Sequence, residues 1–311
     1  METAATQLSD EIRSRGLERY ALELETDGLT IVPPEVTGVT SDFVDRCTEK
    51  LLERFTEMTD GCPISIEEGP TGELTWPEEM PASPLSGKDA PLPTQMLIQQ
   101  LLQLDRCFRD LAVNPVVDAL IDHLMGPVSV FGGGKARRLS SSNSFVKWQG
   151  DYGYGELLGL HCDQGASPLP WGHRALTANA TWCLTDYSKE DGALAYVPGS
   201  HKSNAHPVQP WATKKAVPAE APRGSVLIFP GSTWHGAFPK LTPGLRLNAV
   251  AYYRHSSVLP QENLKITMRD EPWEDCDNPE IMRELLGFDD RFPYEAQTQP
   301  VPTLASSGNA R

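Results

Sequence analysis

Three residues constrain this chain more than any other feature. His161 and Asp163 stand two apart, and His235 follows 235 − 161 = 74 residues later. On an extended strand successive side chains alternate between faces, so residues i and i+2 point the same way and can grip one ion together. The third group must then arrive on a different strand, and 74 residues is enough chain to travel round a barrel and return. A local zinc clip would hold its ligands closer together in sequence. By the same alternation Cys162, between the first two, is expected to point away from the ion and pack.

The rest of the chain fits a barrel. Between 127 and 254, β-prone runs broken by Gly and Pro recur: 140–149, 175–185, a short run centred on Ala195, 224–230 and 244–253. Helical spacing precedes them. A first helix is expected over 9–26, capped by Ser9 and ended by Gly28; a second over 41–58; and a third over 94–125, interrupted at Pro115. Residues 28–34 suggest a short strand stopped by proline, and 279–286 a short helix. No linker or repeat divides the chain. The expected organisation is one domain over 1–311, with a helical N-terminal part (1–126), a β core (127–256) and a C-terminal extension (257–311) ending in a disordered tail from 298. The fold class is mainly β with flanking helices, a double-stranded β-helix of the jelly-roll or cupin-like kind.

Net charge is −15, which argues against a general nucleic-acid binder or a protein held on an anionic membrane. The 6 cysteines form no C-x-x-C pair, so neither a disulfide framework nor a zinc finger is indicated. No export signal and no apolar run of about 18 residues is present, so a cytoplasmic protein is expected. Gly132-Gly133-Gly134-Lys135 lacks the spacing of a phosphate loop and suggests a turn, as does 150–155. The acidic, proline-rich stretch 60–93 suggests a surface loop or a lid.

Two histidines and one carboxylate, occupying one face of an octahedron and leaving the other open, are the ligand set of a non-haem Fe(II) oxygenase. Arg246 sharpens that reading. It lies 246 − 235 = 11 residues after the distal histidine, inside a β-prone run, where a guanidinium can take a carboxylate bidentately. A 2-oxoglutarate cosubstrate needs such a partner for its far carboxylate while its keto-acid end chelates the metal. Three protein ligands and two keto-acid oxygens leave one of six positions for O2.

The chain resembles the phytanoyl-CoA dioxygenase family of Fe(II)/2-oxoglutarate oxygenases. The resemblance rests on His161-Cys162-Asp163, on the run 191–202 ending Val197-Pro198-Gly199-Ser200-His201-Lys202, and on the run 229–237 containing Trp234-His235-Gly236, followed by Arg246. It covers roughly 140–256. It implies that His161, Asp163 and His235 hold iron and that Arg246 holds 2-oxoglutarate. It also makes Asn143 and Trp182 candidates for the cosubstrate pocket, and His201 part of a structural turn. Ala237 departs from the family, which often carries there a small hydroxyl residue that helps hold the cosubstrate carboxylate. Related halogenases lack the carboxylate ligand, so Asp163 implies hydroxylation, desaturation or ring closure, with release of succinate and CO2. The acidic balance favours a small organic substrate, such as a natural-product intermediate. An acyl-CoA hydroxylase, with Lys135, Arg137 and Arg138 meeting the phosphates, is the alternative within the family. A non-catalytic, ligand-binding jelly roll is the alternative outside it, and a cupin-like dioxygenase is disfavoured because cupins use a His-x-His pair. No partner beyond a small molecule is implied. Asn179-Ala180-Thr181 matches a glycosylation acceptor, which carries no meaning in the middle of a strand.

Overall fold

Alternation of buried and exposed side chains settles most of the architecture, and a computed structural model describes residues 8–74, 94–127, 134–150 and 158–290. The expectations for 75–93, 132–133, 151–155 and 298–311 lie outside the described residues. The strands are β1 (Thr30–Val32), β2 (Ile64–Ser65), β3 (Gly69–Pro70), β4 (Gln95–Gln99), β5 (Arg137–Trp148), β6 (Leu158–His161), β7 (Thr177–Cys183), β8 (Leu194–Tyr196), β9 (Val217–Pro218), β10 (Val226–Pro230), β11 (His235–Ala237), β12 (Leu245–Arg246) and β13 (Asn248–His255).

They form a large antiparallel sheet in the order β1, β10, β7, β13, β5. The long strand β5 also pairs with β12 and with β4. A smaller sheet runs β6, β11, β8, β9, and β2 with β3 makes a separate ribbon. The two main sheets face each other as the halves of a double-stranded β-helix, the expected fold class.

Strand β7 shows how the faces divide. Ala178, Ala180 and Trp182 turn outward into the main apolar core, beneath Leu101, Leu102, Phe108 and Leu120 of the helices. Thr177, Asn179, Thr181 and Cys183 turn the other way, into the barrel. Small alanines on the outer face let the helices approach closely. The outer face of the small sheet is covered separately by Cys162, Trp171, Val197, Ala212 and Trp234; Cys162 therefore packs away from the ligands, as expected.

Helix Ser41–Met58 has the expected bounds. Thr40 Oγ1 accepts from Phe43 N at 3.3 Å, a cap worth about 1 kcal/mol. Val44, Cys47, Leu51 and Phe55 are buried along one stripe; truncating a core Phe such as Phe55 to Ala costs about 3–5 kcal/mol.

Two expectations need correction. The expected helix over 94–125 begins as strand β4: Met96 and Ile98 are buried while Leu97 between them is exposed, a period of two. Gln100 then turns the chain with φ 61°, and three helices follow, Leu101–Leu104, Arg106–Ala112 and Pro115–Met125. The expected helix over 9–26 breaks at Gly16, φ 68°, into Asp10–Ser14 and Glu18–Thr26. The N-terminal part is thus not wholly helical, because β1 and β4 both join the large sheet.

Candidate metal centre

Strand pairing places the ligand candidates. His161 ends β6 and His235 begins β11, and the two are direct cross-strand partners. Asp163 opens a short turn two residues beyond His161. One ligand atom from each of His161, Asp163 and His235 falls within 4.8 Å of the others. Asp163 Oδ1 lies 3.2 Å from His161 Nε2 and 3.7 Å from His235 Nε2.

The second nitrogen of each ring fixes which one is free. His161 Nδ1 sits 2.5 Å from Gly159 O, and His235 Nδ1 sits 3.0 Å from Thr233 O. A proton on each Nδ1 satisfies these carbonyls and leaves both Nε2 lone pairs directed at the common point. Burial lowers the pKa of His235 and keeps its ring neutral. His161, more exposed, is raised by its hydrogen bond to Asp163. Burial alone pushes Asp163 up, but His235, His161 and Asn179 outweigh it and hold the carboxyl below its usual range. Once His161 Nε2 gives up the proton that it shares with Asp163, two imidazoles and one carboxylate on converging vectors suit a divalent first-row metal.

Two residues hold Asp163 in place. Asn179 Nδ2 donates to Asp163 Oδ2 at 2.7 Å, leaving Oδ1 for the ion. Gly231 fits against the same turn: a Cβ there would meet Thr177 Oγ1 at 1.9 Å and Asp163 Cβ at 3.2 Å. Sequence reasoning missed Asn179, having seen only a glycosylation motif. The available signal was the alternation Thr177-Ala178-Asn179-Ala180-Thr181, which sets every polar residue on one face.

Deeper in the barrel lies a positively charged end. Arg246 is 5% exposed, its Nη1 donates to the Tyr187 hydroxyl at 3.0 Å, and its Nε has no hydrogen-bond partner. Among the described residues no carboxylate pairs with it. Lys147 is its cross-strand partner, fully buried, with Nζ donating to Phe238 O at 3.1 Å. Burial, then Arg246 and Lys240, pull Lys147 well below the usual lysine range. Lys240 is held by Asp191, Thr242 and Pro243 O. A buried guanidinium with no carboxylate partner among the described residues, as at Arg246, is costly, and an arriving carboxylate offsets that cost. Phe229 stands between the two ends, its ring 4.8 Å from that of His235.

Asn143 shares the inward face of β5 with Lys147, and its Oδ1 is buried without a partner. Trp182 is not brought to the site. Three residues beyond inward-facing Asn179, it points outward into the helical core, 1% exposed. His201 is structural, Nε2 lying 3.2 Å from Glu25 O. The basic run is consumed by ion pairs: Lys135 with Asp118 (2.9 Å) and Glu11, Arg137 with Asp118 and Glu284, Arg138 with Asp290 (2.6 Å). No helix among the described residues is long and apolar enough to cross a membrane.

A dioxygenase of Aspergillus fumigatus, af480, is 31% identical over 204 residues, 64% of this chain and 60% of that protein. The match thus spans less than two thirds of that relative. Among solved structures, HygX from Streptomyces hygroscopicus, with nickel and 2-oxoglutarate bound, superposes with a TM-score of 0.53 at 18% identity, covering 78% of this chain and 88% of that one. The epimerase SnoN, in complex with Fe3+, alpha ketoglutarate and nogalamycin RO, gives 0.53 at 19% identity, covering 80% and 88%. Residues 93–248 match the phytanoyl-CoA dioxygenase (PhyH) family, a stretch that runs from before β4 to the start of β13 and takes in the three converging ligands and Arg246. With that stretch holding half the chain, the protein belongs to the phytanoyl-CoA dioxygenase family.

Proposed function

We propose that this protein is an Fe(II)- and 2-oxoglutarate-dependent oxygenase acting on a small organic substrate of the natural-product kind. The observation that carries this reading is the pairing of two unlike sites in one barrel: the converging Nε2, Oδ1 and Nε2 atoms at one end, and a buried Arg246 with no carboxylate partner among the described residues at the other. A dicarboxylic keto acid answers both.

His161, Asp163 and His235 would hold the iron. Bound iron and 2-oxoglutarate would supply the O2-dependent oxidation of a substrate C–H bond, the keto acid leaving as succinate and CO2. The chain's own contribution is placement. Gly159 O and Thr233 O fix the tautomers, Asn179 turns Oδ1 toward the ion, and Arg246 with Lys147 takes the far carboxylate, so the keto end is delivered to the metal. Phe229 and the surrounding apolar side chains, Leu227, Ala193 and Cys183, exclude water between the two ends. Hydroxylation is the outcome favoured by Asp163, with desaturation or cyclisation following from the same hydrogen abstraction.

Substrate class rests on two observations. SnoN is crystallised with a natural product, nogalamycin RO. Lys135, Arg137 and Arg138, the cations available for acyl-CoA phosphates, are already paired with carboxylates.

The test is an anaerobic absorbance titration of metal-free protein with Fe(II) and then 2-oxoglutarate, beside Asp163→Ala, His235→Ala and Arg246→Ala. A visible charge-transfer band requiring both additions, absent without either ligand and weakened without Arg246, is expected. A folded, iron-loaded wild type that shows no band would sink the keto-acid reading and favour a non-catalytic jelly roll.

A further inference from the structure

Hydrogen-bond accounting around Tyr187 leaves one donor unused. The ring is 3% exposed and packs with Cys183, Leu227 and Phe229, and its backbone is pinned by a bridge to Ala221. Its hydroxyl oxygen accepts from Arg246 Nη1 at 3.0 Å. With Arg246 donating, the phenol oxygen is used as an acceptor, and no acceptor for its own proton is found among the described residues. Burial pushes this phenol up to about 12, so the proton is present at neutral pH. A buried O–H beside a guanidinium that has no carboxylate makes two donors converge on one anion.

We infer that Tyr187 is a direct binding residue for the far carboxylate of the keto-acid cosubstrate, donating its O–H to one carboxylate oxygen while Arg246 takes the other. The inference rests on the proposed 2-oxoglutarate reading and deepens it. It also accounts for Ala237. That residue, two beyond His235, offers only a methyl group, and the hydroxyl missing from β11 is supplied by the segment after β7. The order along the barrel becomes His235, Phe229, Tyr187: metal, apolar spacer, carboxylate floor.

Tyr187→Phe removes one oxygen and keeps the packed ring. Dissociation constants are measured anaerobically on Fe(II)-loaded protein, for 2-oxoglutarate and for 2-oxopentanoate, which has the same chain length and a methyl end. Tyr187→Phe is expected to weaken 2-oxoglutarate about ten- to hundredfold, the range for a hydrogen bond to a charged group, and to leave 2-oxopentanoate unchanged. The same substitution in an Arg246→Lys background separates direct contact from positioning of the guanidinium. Direct contact predicts a further loss of about tenfold or more there. An unchanged 2-oxoglutarate affinity, an equal loss for both keto acids, or no further loss in Arg246→Lys overturns the inference while the cosubstrate reading stands. A wild type that binds neither keto acid overturns both.

Discussion

The two ends of the barrel interior are opposites in charge and in how they are built. At the outer end, Asp163 is surrounded by His161, His235 and Asn179, and the group has a net negative character that calls for a cation. At the inner end stand the buried Arg246, with no carboxylate partner among the described residues, Lys147 beside it, and Lys240, which is engaged by Asp191. Short-range spacing makes the first: two ligands lie two residues apart on one run of chain. Long-range register makes the second: Arg246 and Lys147 meet only because β12 pairs with β5. Bound as proposed, a dicarboxylic keto acid would lie one way only, its two ends matched to these two charges.

The comparison breaks most visibly at Arg246. Arg246→Met removes the cation while filling its volume, and 2-oxoglutarate affinity is expected to fall by about a hundredfold or more, within the range for truncating one partner of a buried charge pair. Fe(II) affinity should be untouched, since the metal end does not depend on it. Equal losses of both in parallel titrations would show that the two ends are not separable.

Asn179→Ala is the converse, touching the metal end alone. Losing an outer partner of a ligand lowers metal affinity about 10–100-fold. Competition against a chelator of known affinity checks this, and an unchanged constant would mean that Asp163 is oriented by its own turn.

Gly231→Ala tests the same carboxylate sterically. The new methyl must displace Thr177 Oγ1, with an expected destabilisation of about 1–3 kcal/mol by denaturant unfolding. If the variant matched wild type in both stability and Fe(II) binding, the close approach would have no part in placing Asp163.

Lys147 gives the smallest effect, one of pH. Its folded pKa is lowered by burial and by Arg246, so between that lowered value and the unfolded value of about 10.4 the unfolded chain binds more protons. Stability of the ligand-free protein therefore gains from this group as pH rises through that window. The contribution is absent above it and the full penalty stands below it. Lys147→Met removes the gain, so the difference in unfolding free energy between variant and wild type is expected to shrink with rising pH. A difference independent of pH would mean that Lys147 is not displaced from its ordinary range.

What the sequence discloses follows the same division. His161, Asp163 and His235 could be read because a strand's period of two and one long return are chain-local facts. Arg246 could be read from its offset of 11 from His235. Asn143 and Lys147 share a legible face, but which strand they oppose depends on register. Tyr187 has no sequence signal: it lies past the end of β7, held by a bridge to Ala221, and its meeting with Arg246 depends on long-range pairing. Trp182 carries two readings in sequence, an aromatic lining the pocket or a core tryptophan, and alternation from Asn179 decides for the core by sending it outward. Strand β4 was hidden because Met96, Leu97, Ile98, Leu101 and Leu102 satisfy helical and extended spacing alike.

The direct pairing of His161 with His235 has a consequence for the life of the protein. Strands β6 and β11 are short, and their register shifts just past His235. An ion held by both histidines would act as a rivet through the end of the smaller sheet. At a hundredfold excess over its dissociation constant such a rivet adds about 2.7 kcal/mol against unfolding. Iron scarcity would then thin the protein's numbers through proteolysis as well as idle its site, tying abundance to metal supply through a single pair of facing residues.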